Sequence, residues 1–167
     1  MEDLDFAPAE HLAGMIRAKQ LSPLELMDHT LARVEALNPK LGAFVALDPE
    51  RARSEAKAQT ERLARGEDLG PLGGLPLGVK DLENVAGFVT AFGSRVFKDN
   101  LAQEDDIHVA RLRAAGAIVI GKTNTPEFGH IPFTATDLFP PARNPWNTER
   151  TPGGSSGGSA AALAAGM

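Results

Sequence analysis

The segment Thr151-Pro-Gly-Gly-Ser-Ser-Gly-Gly-Ser159 holds the densest set of groups able to do chemistry in this sequence. It offers hydroxyls, glycine N–H groups free of side-chain obstruction, and an alanine-rich helix former directly after it. Backbone N–H groups at a helix N-terminus favour negative charge. Such a loop could hold the oxyanion of an acyl transfer, cradle a phosphate, or be an ordinary turn with serine caps. Lys80 ends a short apolar run, Leu75-Pro-Leu-Gly-Val79, and is followed by Asp81 and Glu83. A lysine there can snorkel to solvent or, if buried and neutral, act as a base. Asp81 and Glu83 could be paired carboxylates for acid–base work, or could cap and pair locally beside the turn.

Other patterns point away from chemistry. His11, His29, His108 and His130 lack metal-ligand spacing and cannot be tied to a serine and an acid as a triad, so they read as surface or loop residues. Gly116-Ala-Ile-Val-Ile-Gly-Lys-Thr123 satisfies the letters of a nucleotide-binding P-loop. The physics disagrees, because a P-loop needs a strand before its first glycine, a phosphate-wrapping loop between the glycines and a helix after them. Here the spacer Ala117-Ile-Val-Ile120 is itself a β-branched strand, and Pro126 follows shortly.

The elements that must position these groups follow from periodicity and caps. Ser22-Pro-Leu-Glu25 is a capping box with proline at the first helical position. Leu24, Met27, Leu31 and Val34 continue it as an amphipathic helix, predicted to end near Asn38-Pro39. An earlier helix over 8–19, a charged one over 49–65 and a short apolar segment at 43–47 complete a helical N-terminal third. Residues 75–79 are predicted to be a buried strand. Asp105-Asp106 is expected to cap a helix that Gly116 stops, with the strand after it. Helix, glycine and apolar strand in that order indicate a layered α/β protein. Prolines at 126, 132, 140, 141, 145 and 152 predict a long folded loop over the strand ends. The last stretch, from Ser159, forms a helix without a polar face, which predicts a buried helix and a piece of a longer protein.

Composition narrows the class further. A net charge of −5 over 167 residues argues against phosphate backbones or anionic lipid as partners. With no cysteine there is no disulfide framework and no thiolate metal site. Met1-Glu-Asp-Leu-Asp-Phe6 opens with acids where a signal peptide carries basic residues, and no stretch approaches about 18 consecutive apolar residues. Cytoplasm is the expected compartment.

Taken together, Gly74-Leu-Pro-Leu-Gly-Val-Lys80-Asp81, Gly116-Ala-Ile-Val-Ile-Gly-Lys-Thr-Asn-Thr-Pro-Glu-Phe-Gly129, Arg143-Asn-Pro-Trp146 and the Thr151–Ser159 block resemble the amidase signature family. The blocks are in the family's order, and the resemblance extends to the capped N-terminal helix. It implies an α/β fold with a mixed, largely parallel sheet sandwiched by helices. Residues 1–167 would be the N-terminal part of a single amidase domain, helical over 1–66 and opening the α/β core over 67–167.

The resemblance also implies hydrolysis of a carboxylic amide C–N bond through an acyl-enzyme, by a serine, cis-serine and lysine triad. Lys80 matches the base and Ser155, after a cis peptide bond, the serine that relays the proton. Gly129 falls where family members contact the acyl part of the substrate. The nucleophile belongs to an Asp-Xaa-Gly-Gly-Ser-like motif beyond the relay serine, and no serine among the 167 residues matches it. The isolated chain is therefore expected to be inactive. A small-molecule amide is the implied partner, with no cofactor or metal, no nucleic acid and no membrane, and a homodimer is left open. Runs of the form Asp-Glu-Phe-Ala-Met follow Lys-Thr-Asn in the family's tRNA-dependent amidotransferase members. Thr125-Pro-Glu-Phe-Gly129 departs from that and favours a stand-alone hydrolase. A reading from another class is a non-catalytic remnant that binds a partner through the surface its missing half would cover.

Overall fold

The computed structural model describes residues 4–167, so the acidic opening at Met1–Asp3 lies outside the described residues. Helices α1 (Ala9–Arg17), α2 (Pro23–Leu41) and α3 (Pro49–Ala64) surround strand β1 (Phe44–Leu47) in sequence. Strand β2 (Pro76–Lys80), helix α4 (Ile107–Ala114), strand β3 (Ile118–Thr123) and helix α5 (Gly157–Ala164) follow. Two single 3₁₀ turns, Arg95–Phe97 and Glu127–Gly129, interrupt the loops. No helix among the described residues is long and apolar enough to cross a membrane.

The start of α2 is the capping box the sequence predicts. Ser22 Oγ accepts from Glu25 N at 3.1 Å, and Glu25 Oε2 accepts from Ser22 N at 2.9 Å. That backbone N–H, together with the Ser22 hydroxyl, holds the Glu25 carboxyl below the usual carboxylate range. The end differs from expectation, since α2 runs through Pro39 to Leu41. Proline in the last turn removes only one ladder bond, and the chain turns instead at Gly42, whose φ of 55° is left-handed and whose N–H returns to Asn38 O at 2.8 Å. Asn38 then clasps β1 by bonding both Phe44 N and Phe44 O.

The three strands form one sheet in the order β1-β3-β2. β2 runs parallel to β3 and β1 antiparallel to it, which makes the sheet mixed, as predicted. β3 lies in the centre with every residue buried, and it extends past the predicted 117–120 through Gly121-Lys122-Thr123. A strand through those residues rules out a phosphate-wrapping loop there. β2 is expected to be buried but, among the described residues, has a neighbour on one side only, and Val79 is its one buried residue.

Helices cover both faces. On one, Ile118 and Ile120 pack with Met27, Leu31 and Val34 of α2, Ala52 and Ala56 of α3, and Ala161 and Ala162 of α5. On the other, Val119 and Val79 meet Val85, Phe88 and Val109 of α4. Burying one such side chain contributes about 1.5–3 kcal/mol. The helix α5 is not covered all round, since Leu163 is 76% exposed.

A register shift between Leu77 and Gly78 leaves Ile120 as an extra residue in β3. A bulge of this kind breaks the two-residue alternation and re-aims the side chains after it. Ile120 still faces the α2/α5 side, yet Lys122 reaches Thr90 and Glu83 in the loop after β2, while Thr123 bonds Ser159 of α5. Asp106 holds the N-cap position of α4, as the sequence suggests, but neither Asp105 nor Asp106 makes a side-chain cap bond. Their carboxylates accept from Ala86 N (2.8 Å) and Asn84 N (2.7 Å), tying α4 to the loop that follows Lys80.

Candidate active site

Lys80 is the last residue of β2 and pairs with Thr123 of β3. Ser155 lies just before α5, and the Gly154–Ser155 peptide bond is cis. Lys80 Nζ donates to Ser155 Oγ at 2.6 Å. Burial lowers the Lys80 ammonium below the ordinary lysine value, and the Glu83 carboxylate partly opposes that shift. The hollow between α1 and the loop near Gly70 contains neither residue.

The loop carrying Ser155 is held from beneath by threonines. Thr125 Oγ1 donates to Ser155 O at 3.0 Å. Thr134 Oγ1 donates to Gly153 O at 2.9 Å and accepts from Gly157 N at 3.1 Å, which clamps both sides of the turn. Ser159 and Thr123 share a hydrogen bond of 2.7 Å, and Gly158 N donates to Asn124 O at 3.1 Å. Glycine at 154 is required by space, since a Cβ there would sit 2.6 Å from Phe133 N. These bonds consume N–H groups that the sequence offered to an anion. Gly153, Gly157 and Gly158 N–H all bond within the protein, so they are not free to cradle a phosphate.

Gly129 closes a third side. Its φ is +67°, and a Cβ there would lie 3.6 Å from Ser155 Oγ and 2.8 Å from Leu82 Cδ1. The preceding Phe128 packs with Phe92 and Phe97 in an aromatic cluster that remains half exposed. The structure thus brings Lys80, Ser155 and Gly129 to one place.

Asp81 and Glu83 do not pair with each other. Asp81 is 1% exposed, and its carboxylate accepts from Ala91 N, Gly93 N and Lys122 Nζ. Glu83 faces His108 at 3.3 Å. Sequence reasoning gave no role to Thr125, Thr134 or Lys122, and it met Lys122 only within a rejected pattern and a family block. One signal was available: Lys122-Thr-Asn-Thr125 is four polar residues in a row directly after a β-branched strand, and all four are buried. A polar run that continues a central strand has to find hydrogen-bond partners for most of its groups.

Comparison with known proteins identifies the family. A family model described as Amidase matches residues 25–167. A glutamyl-tRNA(Gln) amidotransferase subunit from Anaeromyxobacter dehalogenans is 47% identical over 152 residues, covering 91% of this chain and 31% of that protein. AmiB2 of Mycobacterium bovis, an amidase by name, is 47% identical over 165 residues, covering 99% of this chain and 35% of that protein. Among solved structures, a 6-aminohexanoate cyclic dimer hydrolase complexed with substrate superposes with a TM-score of 0.88 at 36% identity, over 99% of this chain and 33% of that one. The chain spans about a third of the length of the relatives it matches. On the family match and these identities, the chain belongs to the amidase signature family.

Proposed function

We propose that this chain supplies the base and the proton relay of an amidase that cleaves a carboxylic amide C–N bond through an acyl-enzyme, in a polypeptide of the length its relatives have. The observation that carries this reading is the 2.6 Å contact from Lys80 Nζ to Ser155 Oγ. Burial that lowers Lys80 favours the neutral amine a base requires. Over the same contact, the neutral amine takes the Ser155 proton while Ser155 takes one from the nucleophilic serine. The nucleophile attacks the amide carbonyl, the proton returns along the relay to the departing nitrogen, and water then clears the ester. Gly129 leaves room for the acyl group beside Ser155. No cofactor enters these steps.

The test is amide turnover by the full-length protein. Lys80→Met and Ser155→Ala are each expected to lower kcat by about 10²–10⁴-fold, the usual worth of positioned proton transfer. The 167-residue chain alone is expected to give none. Unchanged turnover in both variants sinks the assignment.

A second reading, that the chain belongs to one component of a tRNA-dependent amidotransferase, is favoured by the 47% identity to a protein of that name. Pro126 and Gly129 depart from the residues usual in that component, which supports the stand-alone hydrolase. Glutamine hydrolysis that appears only when the other amidotransferase components are added would reverse the choice.

A further inference from the structure

Beside the Lys80–Ser155 contact, but on the opposite face of the sheet, lies a charged group that the relay does not use. Lys122 is 0% exposed, and its ammonium is shared among Asp81 Oδ1 (3.3 Å), Glu83 O (2.8 Å) and Thr90 Oγ1 (2.9 Å). Three acceptors use all three protons of an ammonium. Asp81 in turn accepts from Lys122 and from two backbone N–H groups, the pattern of an ionised carboxylate. Burial pushes Lys122 down and Asp81 up, and each charge holds the other against that push. A bonded, buried pair of this kind adds little net stability compared with an apolar pair, so its presence calls for another reason.

The connections of the pair supply one. Asp81 follows Lys80 directly, and Asp81 N extends the ladder to Thr123 O at 3.0 Å. Lys122 grips Glu83 O, and Glu83 N closes the turn back on Lys80 O at 3.0 Å. On the other side, Asp81 holds the N–H groups of Ala91 and Gly93. Phe92 between them accepts from Phe128 N at 2.8 Å, and Phe128 leads into Gly129 against Ser155. One ion pair therefore fixes both the turn after Lys80 and the segment that walls Ser155.

We propose that Lys122, through Asp81, is a positioning residue that aims the Lys80 amine at Ser155 and holds the neighbouring wall in register. This rests on the amidase reading above. A misplacement of about 1 Å in such a site costs on the order of 10²-fold in rate. Loosening the turn after Lys80 admits water to its amine, and relief of the desolvation that lowers Lys80 raises its pKa.

The experiment compares full-length wild type, Lys122→Met and the double variant Asp81→Asn/Lys122→Met, the last of which removes both buried charges and so avoids an unpaired one. Active sites are counted by the acyl-enzyme burst, and kcat per site, KM and the pH profile are measured. The expected result is a kcat per site about 10–100-fold lower in both variants, KM within about 2-fold, and an acid limb moved to higher pH. Fewer active sites with normal kcat per site and an unmoved acid limb would overturn the proposal. Collapse of both variants without any countable site would also overturn it, since the pair would then serve stability alone. Wild type without amide turnover, or Lys80→Met with full turnover, would fail the amidase reading and is distinguished by those two proteins before Lys122 is tested.

Discussion

Lys80 and Ser155 meet at 2.6 Å although 75 residues separate them in the chain. The contact depends on β2 ending where it does, beside Thr123, and on α5 starting over the same end of β3. Because burial lowers the Lys80 pKa, the neutral amine is reached at a lower pH than in a free lysine. Amide turnover by the full-length protein should therefore rise with pH through an apparent pKa below the ordinary 10.5, measured as the acid limb of kcat/KM. Between the folded and ordinary values the unfolded chain binds more protons, so this lysine makes stability rise with pH across that window.

Glu83 opposes the lowering of Lys80 with its negative charge. Glu83→Gln removes that charge and keeps the side chain's shape. The acid limb should move to lower pH, with kcat on the plateau preserved within about 2-fold. The pH profile checks this, and a shift upward or none at all would contradict it.

Much of this arrangement was legible in the sequence, for identifiable reasons. Ser22 and Glu25 announce α2 because a capping box is a local signal, and Val119 and Ile120 announce β3 because β-branched runs are. Lys80 and Ser155 became legible only jointly, through blocks that resemble a family, since neither residue type at its own position specifies chemistry. What stayed hidden is non-local. Nothing near Asp105 or Asp106 says that their carboxylates will turn to Ala86 and Asn84 instead of capping α4. Nor does the local sequence reveal the bulge at Ile120 that sends Lys122 to the face opposite Lys80. Both depend on partners that the fold brings from elsewhere.

The capping box gives a simple stability test. Ser22→Ala removes the acceptor for Glu25 N and the hydroxyl that donates to Glu25 Oε2, while the backbone N–H at position 22 still reaches that carboxylate. The cost should be about 1 kcal/mol, read as a lower urea midpoint for unfolding. The carboxylate of Glu25 is held below its usual range, so its share is present above the ordinary carboxylate value and lost as pH falls through the lowered one. At acid pH the difference between Ser22→Ala and wild type should shrink.

Gly158 tests the packing of α5. A Cβ at this position would lie 2.2 Å from Asn124 N and 2.5 Å from Ala43 O, both backbone atoms that cannot swing away. Gly158→Ala must push α5 off the end of β3, and with it Ser159 from Thr123. The expected cost exceeds about 4 kcal/mol, whereas Gly14→Ala, inside α1 with no atom within 4 Å, should stabilise by about 0.5–1 kcal/mol. Thermal melting of the two variants compares them, and equal melting temperatures would refute the close approach.

Gly129 separates strain from occupancy. Its φ of +67° disfavours any side chain, at a cost of about 1 kcal/mol for alanine. A Cβ would press on Leu82 Cδ1 at 2.8 Å, the end of a side chain that can move, and would stay in ordinary contact at 3.6 Å from Ser155 Oγ. Gly129→Ala should therefore fold and keep its relay. Its methyl group would nevertheless take up space beside Ser155, where we place the acyl group of the substrate. Across amides of increasing acyl size, KM should rise progressively relative to wild type while kcat on the smallest changes by less than about 3-fold. A uniform loss of kcat across the series would instead mean that the methyl displaces Ser155, and Gly129 would then serve the relay and not the pocket.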